Sequence, residues 1–196
     1  MPRGSKLELA LATAAKDVAA AGKQFALVGG LAISVRAEVR FTRDVDLAVA
    51  VDDDAEAEAL VYSLTLRGYT AVTRVEHEAT SRLATIRLRS PQAVKVDLLF
   101  ASSGIERETV ARAGVVEVPP VGDLPIARAE ELLAMKVLSM SDERLQDRID
   151  ARNLLRMSIN LDLECVRDNL RLITTRGYAR KQDLNAKLAE LLKAAK

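Results

Sequence analysis

The 196-residue sequence contains no tryptophan, one histidine and one cysteine, and aromatic residues make up only 3% of it. Because hydrophobic residues still account for 49%, we expect a sizeable core built from Ala, Val, Leu and Ile rather than from aromatic rings. A single cysteine excludes an internal disulfide scaffold and fits a reducing cytoplasm, the compartment that we expect for this protein.

An excess of either charge is also missing, since 29 basic residues face 28 acidic ones. This balance excludes a strongly basic histone-like binder and an acidic tail protein. No apolar run approaches the ~18 residues that a membrane span requires, so no membrane partner is expected. The first residues lead into an alanine-rich helical pattern that includes Lys16 and Asp17, which is not typical of a signal peptide.

Strand and helix patterns are mixed up to about residue 122, and helical patterns alone follow. The clearest strand is Val45–Val51, where four apolar side chains share one face by the strand period of two. The chain is therefore predicted to have an α/β (α+β) fold, a mixed sheet flanked by helices with a helical C-terminal region. We expect residues 1–122 to form the core and residues 123–196 to pack on it as one compact unit. The helices predicted for the second part span 126–140, 142–157, 161–174 and 181–196.

Two aspartates, Asp44 and Asp46, stand at the start of this strand. Residues two apart on a strand project to the same side, so the two carboxylates are predicted to lie together. Neighbouring carboxylates repel each other, and a cation between them relieves the repulsion. Oxygen ligands at this spacing suit Mg²⁺, which usually binds one or two carboxylates and substrate phosphates. Taken alone, the pair is also compatible with a solvated start of a strand.

Asp97 is a lone carboxylate in the otherwise apolar strand pattern Val94–Phe100. Because burying an unpaired carboxylate is costly, we expect Asp97 to complete a metal site if its strand lies beside that of Asp44 and Asp46. Three carboxylates on adjacent strands can hold two Mg²⁺ ions for in-line displacement at phosphorus. The alternative is an edge-strand aspartate in water.

Gly29 and Gly30 lie between a predicted strand and a predicted helix. Without Cβ atoms, their backbone N–H groups can approach a phosphate closely, and a helix N-terminus favours an anion. The pattern is neither a Rossmann fingerprint nor a Walker A loop, because the spacing of the other glycines does not match. An ordinary glycine turn is the alternative.

Three segments, taken together and in order, resemble the nucleotidyltransferase superfamily with the polymerase-beta-like fold: Val28–Ala32, Arg40–Leu47 and Val96–Leu98. The Gly-Gly-x-Ala form, with Arg and Thr before the aspartate pair, is most similar to the AbiEii-type toxins of bacterial toxin–antitoxin systems. Their MenT-like members match best in size, and the resemblance covers residues 24–157. Gly30 departs from the superfamily pattern, because many members have Ser there and so offer a phosphate one more hydroxyl.

A second group of candidates lies in the helical region. Lys136 stands in an apolar helical pattern, and Asp147 and Asp150 share one face of the next helix by their i, i+3 spacing. The AbiEii resemblance implies that Lys136 contacts the triphosphate and that one of the two aspartates completes the site, where we favour Asp150. From the residues alone, Lys136 could be a snorkelling lysine, and Asp147 could be a nucleotide-site residue or a salt-bridge partner of Arg144.

The resemblance implies Mg²⁺-dependent transfer of a nucleoside monophosphate from an NTP, with Asp44 and Asp46 holding metal. Asp97 would hold metal or deprotonate the attacking hydroxyl. The residues expected to position the triphosphate are Gly29, Gly30, Arg43 and Lys136. The resemblance also implies an RNA acceptor, the tRNA 3′ end, and a growth-inhibiting toxin with a cognate antitoxin. Transfer to a small molecule or a protein, and a non-catalytic binding module, are the alternatives.

Thr42 lies two residues before Asp44, so its hydroxyl faces the metal site if the strand extends that far back. A phosphate on Thr42 would add a charge of about −1.5 to −2 and three acceptor oxygens. Such a group would occupy the space of the incoming triphosphate. Thr42 is therefore a candidate site of regulatory phosphorylation, and an ordinary turn hydroxyl is the alternative.

Local basic patches stand out against the neutral total. Residues 163–196 hold eight basic and four acidic side chains, and Arg36, Arg40 and Arg43 are expected to form a basic lip beside the aspartate pair. Such patches can bind an RNA backbone by charge, although a solvated helical face is equally compatible with the C-terminal one. His77 is predicted to be a surface residue rather than a catalytic base.

Overall fold

The computed structural model describes residues 5–194 and has the α/β (α+β) architecture that the sequence predicts. Seven strands and eight helices lie within the described residues. The strands are β1 (Phe25–Val28), β2 (Asp44–Val49), β3 (Thr70–Glu76), β4 (Leu83–Arg89), β5 (Lys95–Leu99), β6 (Gly114–Val118) and β7 (Gly122–Ile126). The helices are α1 (Lys6–Ala20), α2 (Gly29–Arg36), α3 (Asp54–Thr65), α4 (Glu106–Arg112), α5 (Ala129–Ser139), α6 (Leu145–Met157), α7 (Leu163–Thr175) and α8 (Leu184–Ala194).

All seven strands form one mixed sheet in the order β3-β4-β5-β2-β1-β7-β6. β2 lies near the centre, antiparallel to β1 and parallel to β5. The parallel register places Asp46 opposite Asp97, although the two residues are far apart in the sequence. On the other side of β2, Val28 at the end of β1 pairs with Asp46. The sheet therefore brings the candidate carboxylates together and sets the start of α2 beside them.

Strand β2 has one apolar and one polar face. Val45, Leu47 and Val49 are fully buried at 0% exposure, as the period of two predicts. Asp44 and Asp46 alternate with these residues and project from the opposite face. Helix α5 contacts α2, α6, α7 and α8, so the helical region is packed together around α5. The space between this region and the polar face of the sheet is where the candidate site lies.

Strand β7 is the main difference from the sequence prediction. The sequence predicts a helix that starts at Ile126, but Ile126 ends a strand and α5 starts at Ala129. Pro125 is the misleading residue, because proline is common in the first turn of a helix. In the sheet it is tolerated because β7 pairs with β1 at Ile126 and not at the proline itself. The predicted boundary between the core (residues 1–122) and the helical region (residues 123–196) falls inside β7. This division of the chain stays a prediction.

The other predicted elements differ from the structure by a few residues at their ends. The last helix begins at Leu184 rather than at residue 181, and positions 195–196 of the predicted helix lie outside the described residues. Over residues 5–194, no helix has the length and apolar character to cross a membrane.

The surface position predicted for His77 is wrong. The His77 side chain is buried, and its ring centroid is 4.2 Å from that of Tyr178. The polar neighbours Glu76 and Glu78 suggested a solvated turn, but this turn packs against the segment between α7 and α8. That long-range contact leaves no local trace in the sequence.

Candidate active site

A cleft of about 820 Å³ opens between the polar face of the sheet and helices α5 and α6. Nine of the ten candidate residues from the sequence line it: Gly29, Gly30, Thr42, Arg43, Asp44, Asp46, Asp97, Lys136 and Asp147. The tenth, Asp150, is fully buried behind the cleft wall and does not line it. Three separate regions of the sequence thus meet in one place.

Asp44 and Asp46 form the part of the acidic cluster that is open to a cation. Burial and the negative charges of Asp97 and Asp44 raise the pKa of Asp46 to about 6, and the charge of Lys136 and a backbone hydrogen bond from Gly30 lower it less. The nearest cation to Asp44 is Lys95, whose Nζ lies 3.9 Å from Asp44 Oδ1. Carboxylates crowded in this way gain from a bound cation, so the pair fits Mg²⁺.

Asp97 has a partner that the sequence analysis missed. Arg87 on β4 stands opposite Asp97 in the sheet register and donates from Nε and Nη2 to the two carboxylate oxygens, at 2.8 and 2.7 Å. Asp97 is therefore buried as a bidentate ion pair and not as an unpaired charge. The available signal was a charged residue between the buried Ile86 and Leu88 on a strand that could lie next to β5.

The ion pair with Arg87 occupies both oxygens of Asp97, the third carboxylate of the metal site that the sequence predicts. Within residues 5–194, no three His, Cys, Asp or Glu side chains converge into a ready-made metal cage. The Asp44–Asp46 pair can hold one cation as it stands. A second ion would require Asp97 to exchange the guanidinium of Arg87 for metal.

Helix α2 begins at Gly29, immediately after β1, and its first residues face Asp46. Gly29 has a φ of +63°, and a Cβ at this position would lie 2.5 Å from Cγ of Asp46. A Cβ at Gly30 would lie 2.6 Å from Nη2 of Arg40 and 2.8 Å from Oγ1 of Thr42. The space that a serine would take at position 30 is thus filled by two neighbouring side chains, one of which brings a hydroxyl of its own.

We expect Gly29→Ala to lose most of the transfer activity, because its Cβ would displace the Asp46 carboxyl. The left-handed backbone alone should cost roughly 1–2 kcal/mol of stability. Gly22→Ala is the matched control, because Gly22 has a φ of +74° and no atom lies within 4 Å of the Cβ that an alanine would add there. Thermal melts and transfer rates of both variants separate the two effects. Equal activity in the two variants would contradict a specific contact between position 29 and Asp46.

A buried ion-pair network joins the helical region to the cleft. Lys136 Nζ lies 2.6 Å from Asp147 Oδ1 and 2.7 Å from Asp150 Oδ2. Arg40 Nε is 3.0 Å from Asp150 Oδ1, and Arg144 Nε is 2.9 Å from Asp147 Oδ2. Lys136 is buried at 9% exposure, so the snorkelling alternative is wrong. The salt bridge expected between Asp147 and Arg144 is present, and Asp147 also lines the cleft, so its role as a nucleotide-site residue stays a prediction.

The predicted basic lip consists of fewer residues than expected. Arg36 points away from the lip and donates to two carbonyl oxygens at the end of β7 and just after it. Arg40 lines the cleft, but its Nε is tied to Asp150. Arg43 is exposed, and its guanidinium carbon lies 5.1 Å from the ring centroid of Phe41, which is itself 77% exposed. Among the three arginines, Arg43 is therefore the one placed to meet a ligand from solvent.

A helix start with two glycines, set against strand carboxylates and faced by cationic side chains, is the arrangement that the sequence predicts for a nucleotidyltransferase. Solved structures share the fold. An antigenic nucleotidyltransferase-like protein from Paracoccidioides brasiliensis is 16% identical, with 94% of this chain and 92% of that chain covered and a TM-score of 0.55. The antibiotic-resistance factor ANT(2'')-Ia is 16% identical, with 87% of this chain and 91% of that chain covered and a TM-score of 0.50. At such low identity these similarities show the fold alone.

The chain belongs to the family described as "Nucleotidyl transferase AbiEii toxin, Type IV TA system", whose sequence model matches residues 14–195. This match confirms the resemblance found in the sequence. The MenT4 nucleotidyltransferase toxin from Mycobacterium tuberculosis is 13% identical over 94% of this chain and 92% of that chain, but its TM-score of 0.36 is too low to support an inference. A search of curated proteins gave no match.

Proposed function

We propose that this toxin transfers a nucleoside monophosphate from an NTP to the 3′ end of an RNA, namely tRNA, and thereby inhibits growth. The observation that supports an RNA acceptor is the charge of the cleft. Six Lys or Arg and five Asp or Glu side chains line it. Five of the cations lie outside both the sheet and α2. Among the described residues, two of these five, Arg43 and Arg180, have no carboxylate partner and are exposed to a polyanion. A cationic acceptor such as an aminoglycoside would call for an acidic cleft, so transfer to such a small molecule has less support.

The chemistry is an in-line displacement at the α-phosphorus of the NTP. A hydroxyl oxygen of the acceptor forms the new bond to phosphorus, the bond to the bridging oxygen breaks, and pyrophosphate leaves with the electron pair. Mg²⁺ held by Asp44 and Asp46 would supply positive charge to the reacting phosphates. Asp97 lies level with Asp46 on the neighbouring strand, and in this scheme it would bind metal or take the proton of the attacking hydroxyl after releasing an oxygen from Arg87.

The remaining candidates position the triphosphate. The backbone N–H groups at the start of α2, at Gly29 and Gly30, suit its oxygens, and Arg43 offers an exposed guanidinium. Lys136 lines the cleft but is held between two carboxylates, so it contributes charge from a fixed position. Asp150 is a positioning residue in this scheme, because it is bonded to both Lys136 and Arg40 and does not reach the cleft.

The direct test is incubation of the protein with total RNA, Mg²⁺ and each α-³²P-labelled NTP in turn. We expect label in RNA of tRNA size, removed by treatment that trims the 3′ end. Parallel reactions without RNA, with an aminoglycoside or with a protein extract test the other acceptor classes. Label in one of those reactions and none in RNA would contradict the proposed acceptor.

Thr42 is proposed as a site at which phosphorylation silences the enzyme. Strand β2 starts at Asp44, so it does not extend back to Thr42 as a strand-face position for the Thr42 hydroxyl would require. Its hydroxyl nevertheless lies beside the start of α2, and the residue lines the cleft. A phosphate there would compete with the triphosphate for the same N–H groups and for Arg43. The cognate antitoxin could act on the toxin through this modification.

We expect Thr42→Glu to lower the transfer rate by at least ~10-fold, because it places a negative charge where the triphosphate binds. Thr42→Ala should stay active, and Thr70→Glu, at an exposed position of β3 opposite Arg89, is the matched control for an added carboxylate away from the cleft. Peptide mass spectrometry of the toxin produced together with its antitoxin shows whether Thr42 is modified. An active Thr42→Glu variant and an unmodified Thr42 would together remove this proposal.

A further inference from the structure

The segment between α7 and α8 reaches the cleft through the side chain of Arg180. Tyr178 anchors this segment, because its ring packs on His77 and against Gly104, where a Cβ would lie 2.5 Å from Cδ2 of the tyrosine. Arg180 and Lys181 follow with φ values of +54° and +59°, a conformation that ordinary residues rarely adopt. The fold therefore holds this short segment in an unusual shape, and Arg180 lines the cleft while Lys181 does not.

The guanidinium of Arg180 is placed there without a carboxylate partner. Among the described residues, none of the ion pairs includes Arg180, and its Nη2 donates only to the carbonyl oxygen of Ser102, at 3.3 Å. Arg176, four residues earlier, is different, because it pairs with Glu108 at 2.7 Å. Arg176 and Arg180 thus differ, and of these two arginines only Arg180 is available to an anion in the cleft.

Arg180 has both cations and a carboxylate in its surroundings. Partial loss of hydration and the charge of Arg144 lower the pKa of Arg180, and the charge of Glu106 raises it. The pKa of Lys187 is lowered by burial and by the charges of Arg148 and Arg180, and the charge of Asp147 raises it. Arg144 also lines the cleft. Cations that disfavour each other in this way gain when an anion binds between them.

The position of Arg180 along the sheet indicates whether the anion belongs to the NTP or to the acceptor. Gly29 and Gly30 lie beside Asp46, whereas Ser102 and Ser103 follow the far end of β5, beyond Asp97 and Leu99. In the proposed mechanism, the triphosphate binds beside the two glycines and the metal carboxylates, and the attacking hydroxyl approaches from the side of Asp97. Arg180 therefore lies where the acceptor continues away from its reacting end.

We propose that Arg180, supported by Arg144, binds a backbone phosphate of the acceptor RNA near its 3′ end. The assignment rests on the proposed function, since it takes RNA as the acceptor. It makes Arg180 part of the acceptor site and distinguishes it from Lys181 and from the other basic side chains of residues 163–194, which do not line the cleft.

The test compares Arg180→Ala with Lys181→Ala, which removes an equal charge from the next residue at nearly the same φ. Binding of bulk tRNA without NTP is measured between 50 and 300 mM salt, together with the KM for NTP and the melting temperature. For Arg180→Ala we expect roughly 5-fold weaker tRNA binding at ~0.1 M salt and a salt slope smaller by about one. Arg180→Lys should recover part of the affinity, because one charge is restored. The KM for NTP and the melting temperature should match those of Lys181→Ala.

Three outcomes would overturn the assignment. One is tRNA affinity that falls equally in both alanine variants, and another is an affinity that is unchanged in both. The third is a raised KM for NTP with unchanged tRNA binding, which would move Arg180 to the nucleotide. If the wild-type protein itself neither binds tRNA nor labels it, the proposed function fails first, so the two failures can be told apart.

Discussion

Asp46→Asn is expected to lose nucleotidyl transfer by at least ~10³-fold, about 4 kcal/mol of transition-state stabilisation, while the protein stays folded. Asp46 is the most central carboxylate of the cleft, with Asp97 opposite it on β5, Val28 opposite it on β1, and the start of α2 beside it. The amide keeps the shape of the side chain but removes the charge that a metal ion requires. Initial transfer rates with saturating NTP and Mg²⁺ measure the loss.

The control is Asp123→Asn, which makes the same change on an exposed strand residue of β7. It should keep full activity. A fully active Asp46→Asn enzyme would remove the metal role of the aspartate pair. A variant that is inactive because it no longer melts cooperatively would show that Asp46 is needed for folding, contrary to this expectation.

The stability of Asp46→Asn should depend on pH in a defined direction. Folding raises the pKa of Asp46 from 3.8 to about 6, so the ionised group opposes folding. The cost is full above about pH 7, where the carboxyl is ionised in both states, and it vanishes below about pH 3, where the carboxyl is protonated in both. Melts in EDTA should therefore show the variant more stable than the wild type by up to ~3 kcal/mol near neutral pH and equal to it in acid.

Lys136→Met is expected to destabilise the protein by about 3 kcal/mol, because it leaves Asp147 and Asp150 buried with one cation fewer. Arg40 and Arg144 still compensate part of the charge, which keeps the cost from being larger. For a chain of this size the melting temperature should fall by roughly 6–12 °C. Methionine keeps the apolar stem of the lysine, so lost packing contributes little.

Lys16→Met serves as the control, since Lys16 is exposed on α1 and should change stability by less than ~0.5 kcal/mol. Lys136→Arg keeps the charge but replaces a compact ammonium with a planar fork, so it should recover stability only in part and need not restore NTP use. If Lys136→Met melts at the wild-type temperature, the network with Asp147 and Asp150 does not stabilise the fold.

Local patterns were sufficient to predict the acidic part of the site. The alternation of Asp44 and Asp46 with buried residues requires only the period of two, and Asp97 stood out because a lone charge in an apolar strand needs an explanation. The glycine pair beside these carboxylates could be singled out for a similar reason, since it stands between a strand pattern and a helix pattern. These are features that a strand carries in its own sequence.

The partners of these groups could not be predicted in the same way. Arg87 neutralises Asp97 because β4 pairs with β5. Lys136 of α5 pairs with Asp150 of α6, which also pairs with Arg40 from the segment before β2. Such pairings depend on how distant elements pack. The same holds for β7, whose proline suggested a helix and whose place in the sheet is decided by β1 and β6.

Arg36, which does not take part in the predicted basic lip, fixes the junction between β7 and α5. Arg36 of α2 binds the carbonyl oxygens of Ile126 and Ala127, at 3.0 and 2.9 Å, and the Ala127 N–H donates to Leu27 of β1 at 3.1 Å. These bonds fasten the one connection through which the sheet passes into α5, so this junction is a poor hinge. We therefore expect the angle between the sheet and α5, which bounds the cleft, to stay the same when a substrate binds.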